Sequence, residues 1–183
     1  NDLASKVKKS FEKSFWNKEK QCLYDCLTND YKDDKVRPNQ IMAVSLSNAV
    51  LDGDKAKKVV DRIFKELYTA YGLRSLSPES KEYAGIYMGD QWRRDGSYHQ
   101  GIVWTWPLGQ FITAYVKANG HTKKAKEMAL RFIEPFKDHL EDGCLGSIAE
   151  IFDGDEPLVP RGCFAQAWSV SEILRAYVED VLK

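Results

Sequence analysis

Two stretches of this chain hold residue types that can do chemistry. Residues 89–106, GDQWRRDGSYHQGIVWTW, crowd acids, arginines, a histidine and three tryptophans around glycines ahead of an apolar helical run. Indole faces give a sugar ring a flat apolar surface, and fixed donors and acceptors match its hydroxyls, so this composition suits a sugar-binding cleft. A structural loop anchored by its tryptophans is the competing reading. In residues 146–152, GSIAEIF, Glu150 lies among apolar neighbours, a setting that holds a carboxylate in one orientation; a plain surface-loop acid is the alternative. Two carboxylates flanking a glycosidic bond suffice for its hydrolysis, one protonating the leaving oxygen and the other activating water. Asp90 and Asp95 are the acids of the first stretch, and each reads better as a partner of Arg93 or Arg94, or of a sugar hydroxyl. Ser97 and His99 invite a Ser-His-Asp reading, but no nucleophile elbow or strand precedes them. Asp153, Asp155 and Glu156 read as solvated or loop-folding groups, because a calcium loop needs a longer register of acids with a closing glutamate.

Helical periodicity supplies the elements that must position these residues. Leu3, Val7, Phe11 and Phe15 recur at steps of four and predict a first helix with one apolar stripe. A polar, turn-rich segment follows, and Arg37-Pro38 opens a second helix whose apolar face is Ile41, Val44, Leu46 and Ala49. Asp54 is placed to cap a third, carrying Val59, Ile63, Phe64 and Leu67 until Gly72 stops it. From 73 to 101 regular periodicity disappears, and so long a connection is expected to be a functional loop. Helix resumes near Ile102 and runs past Trp104 and Phe111 to Asn119-Gly120. Thr122 caps the next, with Pro135 kinking or shortening it, and a second irregular loop leads to a closing helix from about Phe164 to Leu182. Strand signals are confined to GIYM and CLGSIAEIF. The expectation is an all-α fold of about six helices with two long functional loops, arranged as a solenoid or toroid of helix pairs whose loops form a site at one rim.

Composition sets the outer limits. The 183 residues, 43% of them hydrophobic, make one domain or a piece of one with enough apolar content for a packed core. Twenty-seven Lys and Arg against twenty-seven Asp and Glu remove the electrostatic footprint of a nucleic-acid binder. Neither a membrane-spanning apolar run nor a secretion signal is visible, which reads as a soluble, cytosolic protein with no membrane partner. Cys22, Cys26, Cys144 and Cys163 lack the close pairing with histidine that zinc sites use. They are expected to be reduced, buried thiols, with no metal and no cofactor.

Five phrases occur together and in order: RPNQIMAVSL (37–46), YGLRSLSP (71–78), RDGSYHQGIVWTWPLG (94–109), GCLGSIAEIFDGDEP (143–157) and RGCFAQAWSVSEILRA (161–176). This succession resembles the C-terminal glucosidase domain of glycogen debranching enzymes and covers most of the chain after about residue 35. The resemblance implies an amylo-α-1,6-glucosidase on an (α/α)6 toroid that removes single α-1,6-linked glucose stubs from glycogen or limit dextrin with inversion. It implies Glu150 as general base, Arg94, Asp95, Tyr98, His99 and Trp104 as lining of the glucose subsite, and Gln166 and Trp168 as support of that wall from the final helix. The family's general acid, an aspartate in a tryptophan-bearing motif upstream, has no counterpart in these residues. The chain is therefore expected to be a single domain fragment, roughly the second half of the toroid, inactive alone and inclined to self-associate through an exposed flank. A non-catalytic carbohydrate-binding or helical scaffold module is the alternative.

Overall fold

In a computed structural model, the structure describes residues 2–142 and 145–183; Cys144, one of the four thiols considered above, lies outside them. The chain begins with α1 (Asp2–Phe15), whose Leu3 and Val7 remain 74% and 53% exposed while Phe11 and Phe15 stack on each other at 4.7 Å against the core. Its stripe is thus covered only at its C-terminal end. Two hairpin ribbons follow, β1 (Trp16–Asn17) with β2 (Cys22–Leu23), and β3 (Cys26–Leu27) with β4 (Lys32–Asp33). Pro38 starts a 3-10 turn, Pro38–Ile41, where its missing N–H costs nothing, and α2 (Met42–Ser45) continues it. This second helix ends before Leu46 and Ala49, which were expected on its face; Leu46 is exposed.

Helix α3 (Gly53–Glu66) buries Ala56, Val59, Val60 and Ile63, the apolar side of an amphipathic pattern. It starts at Asp52 rather than Asp54 and ends before Gly72, which belongs to a strand instead. The central helix is α5 (Trp106–Ala118), with Leu108, Phe111, Ile112, Ala114 and Val116 all fully buried. It packs against α2, α3, α6 (Lys123–Ile133) and α8 (Ala167–Ala176), the last continuing as a π-helical stretch, Tyr177–Leu182. Each of its large apolar side chains contributes roughly 1.5–3 kcal/mol by leaving water. Thr122 caps α6 by accepting from the Ala125 N–H, and Pro135 ends that run before the short α7 (Phe136–His139).

The protein is mostly helical but not all-α. Five antiparallel strands form one sheet in chain order: β5 (Tyr68–Thr69), β6 (Gly72–Arg74), β7 (Val103–Trp104), β8 (Ile151–Phe152) and β9 (Pro160–Arg161). Strands of two or three residues are too short to show alternation in a sequence, and of the five only β8 falls in a segment the sequence marks as a strand, CLGSIAEIF. Trp104, expected on a helix, lies on β7 between Leu73 and Ile151, and GIYM forms no strand. Gly72 is required in β6: a Cβ there would sit 2.1 Å from the Trp104 carbonyl oxygen. The long stretch 73–101 holds a further short helix, α4 (Gln91–Ser97), which buries only Ser97 and therefore carries no apolar stripe.

Candidate active site

Glu150 immediately precedes β8 and is held at three atoms. Its backbone N–H donates to the Cys163 carbonyl (2.8 Å), while its Oε2 accepts the Cys163 N–H (2.9 Å). Its Oε1 accepts the Tyr98 hydroxyl at 2.5 Å. Burial, and then the acceptor carboxylate itself, pushes the Tyr98 phenol far above its ordinary pKa, so this hydroxyl stays protonated and donating. Gly162, at φ +66°, makes the close approach possible, because a Cβ there would lie 2.5 Å from Glu150 Oε2.

Tyr98 also joins Glu150 to an aromatic cluster. Its ring meets Trp104 edge-on at 4.7 Å and His99 edge-on at 4.9 Å, while His99 lies parallel to Trp104 at 5.3 Å. The Trp104 indole N–H donates to the Tyr98 carbonyl (3.0 Å). Helix α4 delivers Tyr98 to this place: Asp90 caps its start by accepting from the Arg93 N–H, and the Tyr98 N–H closes its last turn on the Arg94 carbonyl. The sheet delivers Trp104, paired with Ile151, the residue after Glu150.

A cleft of about 650 Å³ opens beside this cluster. His99, Gln100, Trp104, Trp106, Pro107 and Trp168 line it, with the indoles of Trp106 and Trp168 stacked at 4.2 Å. Arg37, with Asp25 and Asn39, provides a polar side. The Arg37 guanidinium donates to the carbonyls of Ser75 (3.1 Å) and His99 (2.6 Å) and to Gln100 Oε1 (2.8 Å), and lies 3.5 Å from Asp25 Oδ2. Burial raises the Asp25 carboxyl even against the pull of that guanidinium. Glu150 is not itself a lining residue; Tyr98 connects it to the Trp104 and His99 wall.

Behind the site the strands are pinned by polar groups. Asp153, 2% exposed, accepts the Tyr87 N–H (2.8 Å) on one oxygen and Arg161 Nε and Nη2 (3.1 and 2.9 Å) on the other. The Ala149 N–H donates to His139 Nε2 (3.2 Å), and burial lowers the His139 pKa, favouring the neutral ring that can accept. Tyr83 donates to Asp155 (2.8 Å), and burial together with that carboxylate pushes its phenol up to about 12.

A family model described as amylo-alpha-1,6-glucosidase matches residues 1–175. The chain belongs to this family. It is 28% identical over 91 residues to the glycogen debranching enzyme of Saccharomyces cerevisiae, a match spanning 46% of this chain and 6% of that protein. Its fold is similar to that of the neutral trehalase of Saccharomyces cerevisiae, with a TM-score of 0.67 at 15% identity, over 97% of this chain and 30% of the trehalase. The chain thus spans a minor part of the length of either relative. At 15% identity the trehalase likeness shows the fold alone.

Of the residues the amylo-α-1,6-glucosidase resemblance singled out, the structure brings Glu150, Tyr98, His99 and Trp104 together and sets Trp168 on the cleft. Arg94 instead bonds the Gly89 carbonyl within its own loop, and Asp95 is exposed on α4, neither of them lining the cleft. Gln166 does not line the cleft; it precedes α8 with its backbone N–H on the Ile148 carbonyl. Sequence reasoning passed over Arg37 and Trp106. Arg37 was visible only as the residue before a helix-opening proline, and Trp106 only as part of an aromatic run. The thiols also differ from expectation: Cys22 is buried, but Cys26 and Cys163 are exposed. No helix among the described residues is long and apolar enough to cross a membrane.

Proposed function

We propose that this chain carries one side of the active site of an inverting amylo-α-1,6-glucosidase, cutting single α-1,6-linked glucose stubs from glycogen or limit dextrin in the cytosol. The observation that carries this reading is the Glu150 carboxylate, oriented by Tyr98 and Cys163 and joined through Tyr98 to an aromatic, sugar-sized cleft. A carboxylate has about four lone-pair sites. Two are engaged here, which leaves capacity to accept a proton from water. In this proposal Glu150 deprotonates a water molecule as its oxygen attacks the anomeric carbon from the face opposite the leaving oxygen. A separate acid protonates that oxygen, yielding β-glucose and the trimmed glucan.

The proposed frame is an (α/α)6 toroid, with the acid on helices other than those described here. Exposed Leu3 and Val7 on α1, and Leu174, Val178 and Leu182 along the closing helix, fit a flank that further toroid helices or a second copy would cover. The test is glucose release from limit dextrin by the full-length protein, with the anomer first formed followed by NMR. β-Glucose, lost by several orders of magnitude in Glu150→Gln with sugar binding retained, is the expected result. α-Glucose first, or an undiminished Glu150→Gln variant, would refute the mechanism. Equal loss of turnover, sugar binding and fold would make Glu150 a structural acid.

A further inference from the structure

We infer that the stacked pair Trp106–Trp168 is a second sugar platform, distinct from the Trp104 wall, and that it takes the glucan unit on the leaving-group side of the scissile bond. The inference rests on the hydrolase reading above and adds to it the place where the polymer is held.

The cleft is lined by two aromatic stacks. The first is Trp104, backed by His99 in parallel and joined to Glu150 through Tyr98. The second is Trp106, backed by Trp168 at 4.2 Å with an interplanar angle of 14°. Trp104 and Trp106 are separated by Thr105 alone, whose buried hydroxyl donates to the Tyr71 carbonyl and fixes the strand-to-helix corner carrying both indoles. Trp168 is 52% exposed although it packs face to face with another indole, so apolar ring surface is left open where the cleft meets solvent. Pyranose rings present axial C–H groups that pack on such faces, and two rigid stacked rings lose little entropy when a ligand lands on them. The polar side of the same cleft, Arg37 with Asn39, supplies donors for ring hydroxyls, and Arg37 is already immobilised by its carbonyl partners.

Direction follows from the chemistry. An enzyme that releases single glucose units has no sugar beyond the glucose whose anomeric carbon is attacked, so that glucose occupies the end of the cleft nearest Glu150. Any further unit held in the same cleft belongs to the leaving group. Trp104 is the indole tied to Glu150 through Tyr98, whereas Trp106 and Trp168 stack on each other and not on that cluster.

The test compares two substrates on the full-length protein. Limit dextrin has a glucan leaving group that reaches the second platform; α-glucosyl fluoride leaves a single fluoride ion and cannot. Trp168→Ala, at a half-exposed position, and Trp106→Ala are expected to raise KM for limit dextrin about tenfold or more, with a loss on the fluoride several-fold smaller. Calorimetric binding of linear maltopentaose should weaken by a similar factor, a readout that needs no catalysis. Equal losses on both substrates, or unchanged dextrin KM and maltopentaose affinity, would overturn the assignment. Failure of the wild-type protein to release glucose from limit dextrin would instead remove the hydrolase reading, and the maltopentaose result would still decide whether the indole pair binds glucan.

Discussion

Tyr98→Phe removes one hydrogen bond from Glu150 and leaves the ring that packs on Trp104, His99 and Tyr87. The lost contact is a 2.5 Å bond from a neutral hydroxyl to a carboxylate, and such charge-assisted bonds contribute about 1.5–3 kcal/mol. Tyr98 is only half-buried, so water can take over part of the donor's role and the lower end of that range applies. Glu150 keeps the Cys163 N–H on its other oxygen but gains freedom to rotate about that anchor. If Glu150 acts as a base on a positioned water, the cost falls on the transition state, and about 1.5 kcal/mol corresponds to roughly a tenfold loss of kcat with KM little changed. The assay is initial-rate glucose release from limit dextrin by the full-length protein, with melting temperature measured in parallel. A drop in kcat with an unaltered melt supports the positioning role. A wild-type kcat in Tyr98→Phe, alongside an inactive Glu150→Gln, would show that the hydroxyl does not orient the base. A raised KM with unchanged kcat would place Tyr98 on the sugar instead.

Three further outcomes follow from the same geometry. Gly162→Ala must hold an L-residue at φ +66°, costing about 1–2 kcal/mol, and drives a methyl to 2.5 Å from Glu150 Oε2; kcat should fall at least as far as in Tyr98→Phe. Arg161→Met strips the bidentate partner from Asp153, which is 2% exposed, and because Arg161 is itself about one-third exposed the expected loss is about 2–3 kcal/mol, read as a melting point lower by about 5–10 °C. Asp153→Asn in the same background should return part of that loss, since no buried charge is then left unpaired. His139 titrates below its unfolded value, so its contribution to stability is complete above that value, near pH 6.5, and is lost as pH falls through the folded pKa. Melting curves from pH 7.5 down to 5 should show this decline, and His139→Gln should flatten it; an unchanged slope would assign the acid lability to other groups.

How much of this could be read beforehand depended on the length of each element. Helices α3 and α6 were legible because several apolar residues recur on one face, and Thr122 marked its helix start correctly. Of the sheet only β8, at the end of CLGSIAEIF, was signalled, because strands of two or three residues have no period and the pairing is decided by partners far apart in sequence such as Trp104 and Ile151. Helix α4 was hidden for a different reason: almost all of it faces water, so only its Asp90 cap could have announced it. Within the site, Glu150 stood out as an acid in apolar surroundings, and its association with Tyr98, His99 and Trp104 followed the motif order. Arg37 could not be singled out, since its role consists of main-chain carbonyls from residues 75 and 99 that converge only after folding. Arg94 was misplaced because a charged residue in a motif is indistinguishable, in sequence, from one that stitches its own loop.

The central claim is that Glu150 acts as a base on the face of glucose opposite the leaving group. Its most direct test supplies Glu150→Ala, in the full-length protein, with α-glucosyl fluoride and sodium azide. Azide needs no base, so it should attack the anomeric carbon in the space vacated by the side chain, expel fluoride and accumulate as β-glucosyl azide at a rate well above that with water alone. A variant that azide fails to rescue, or one that yields the α-azide, would contradict the assignment.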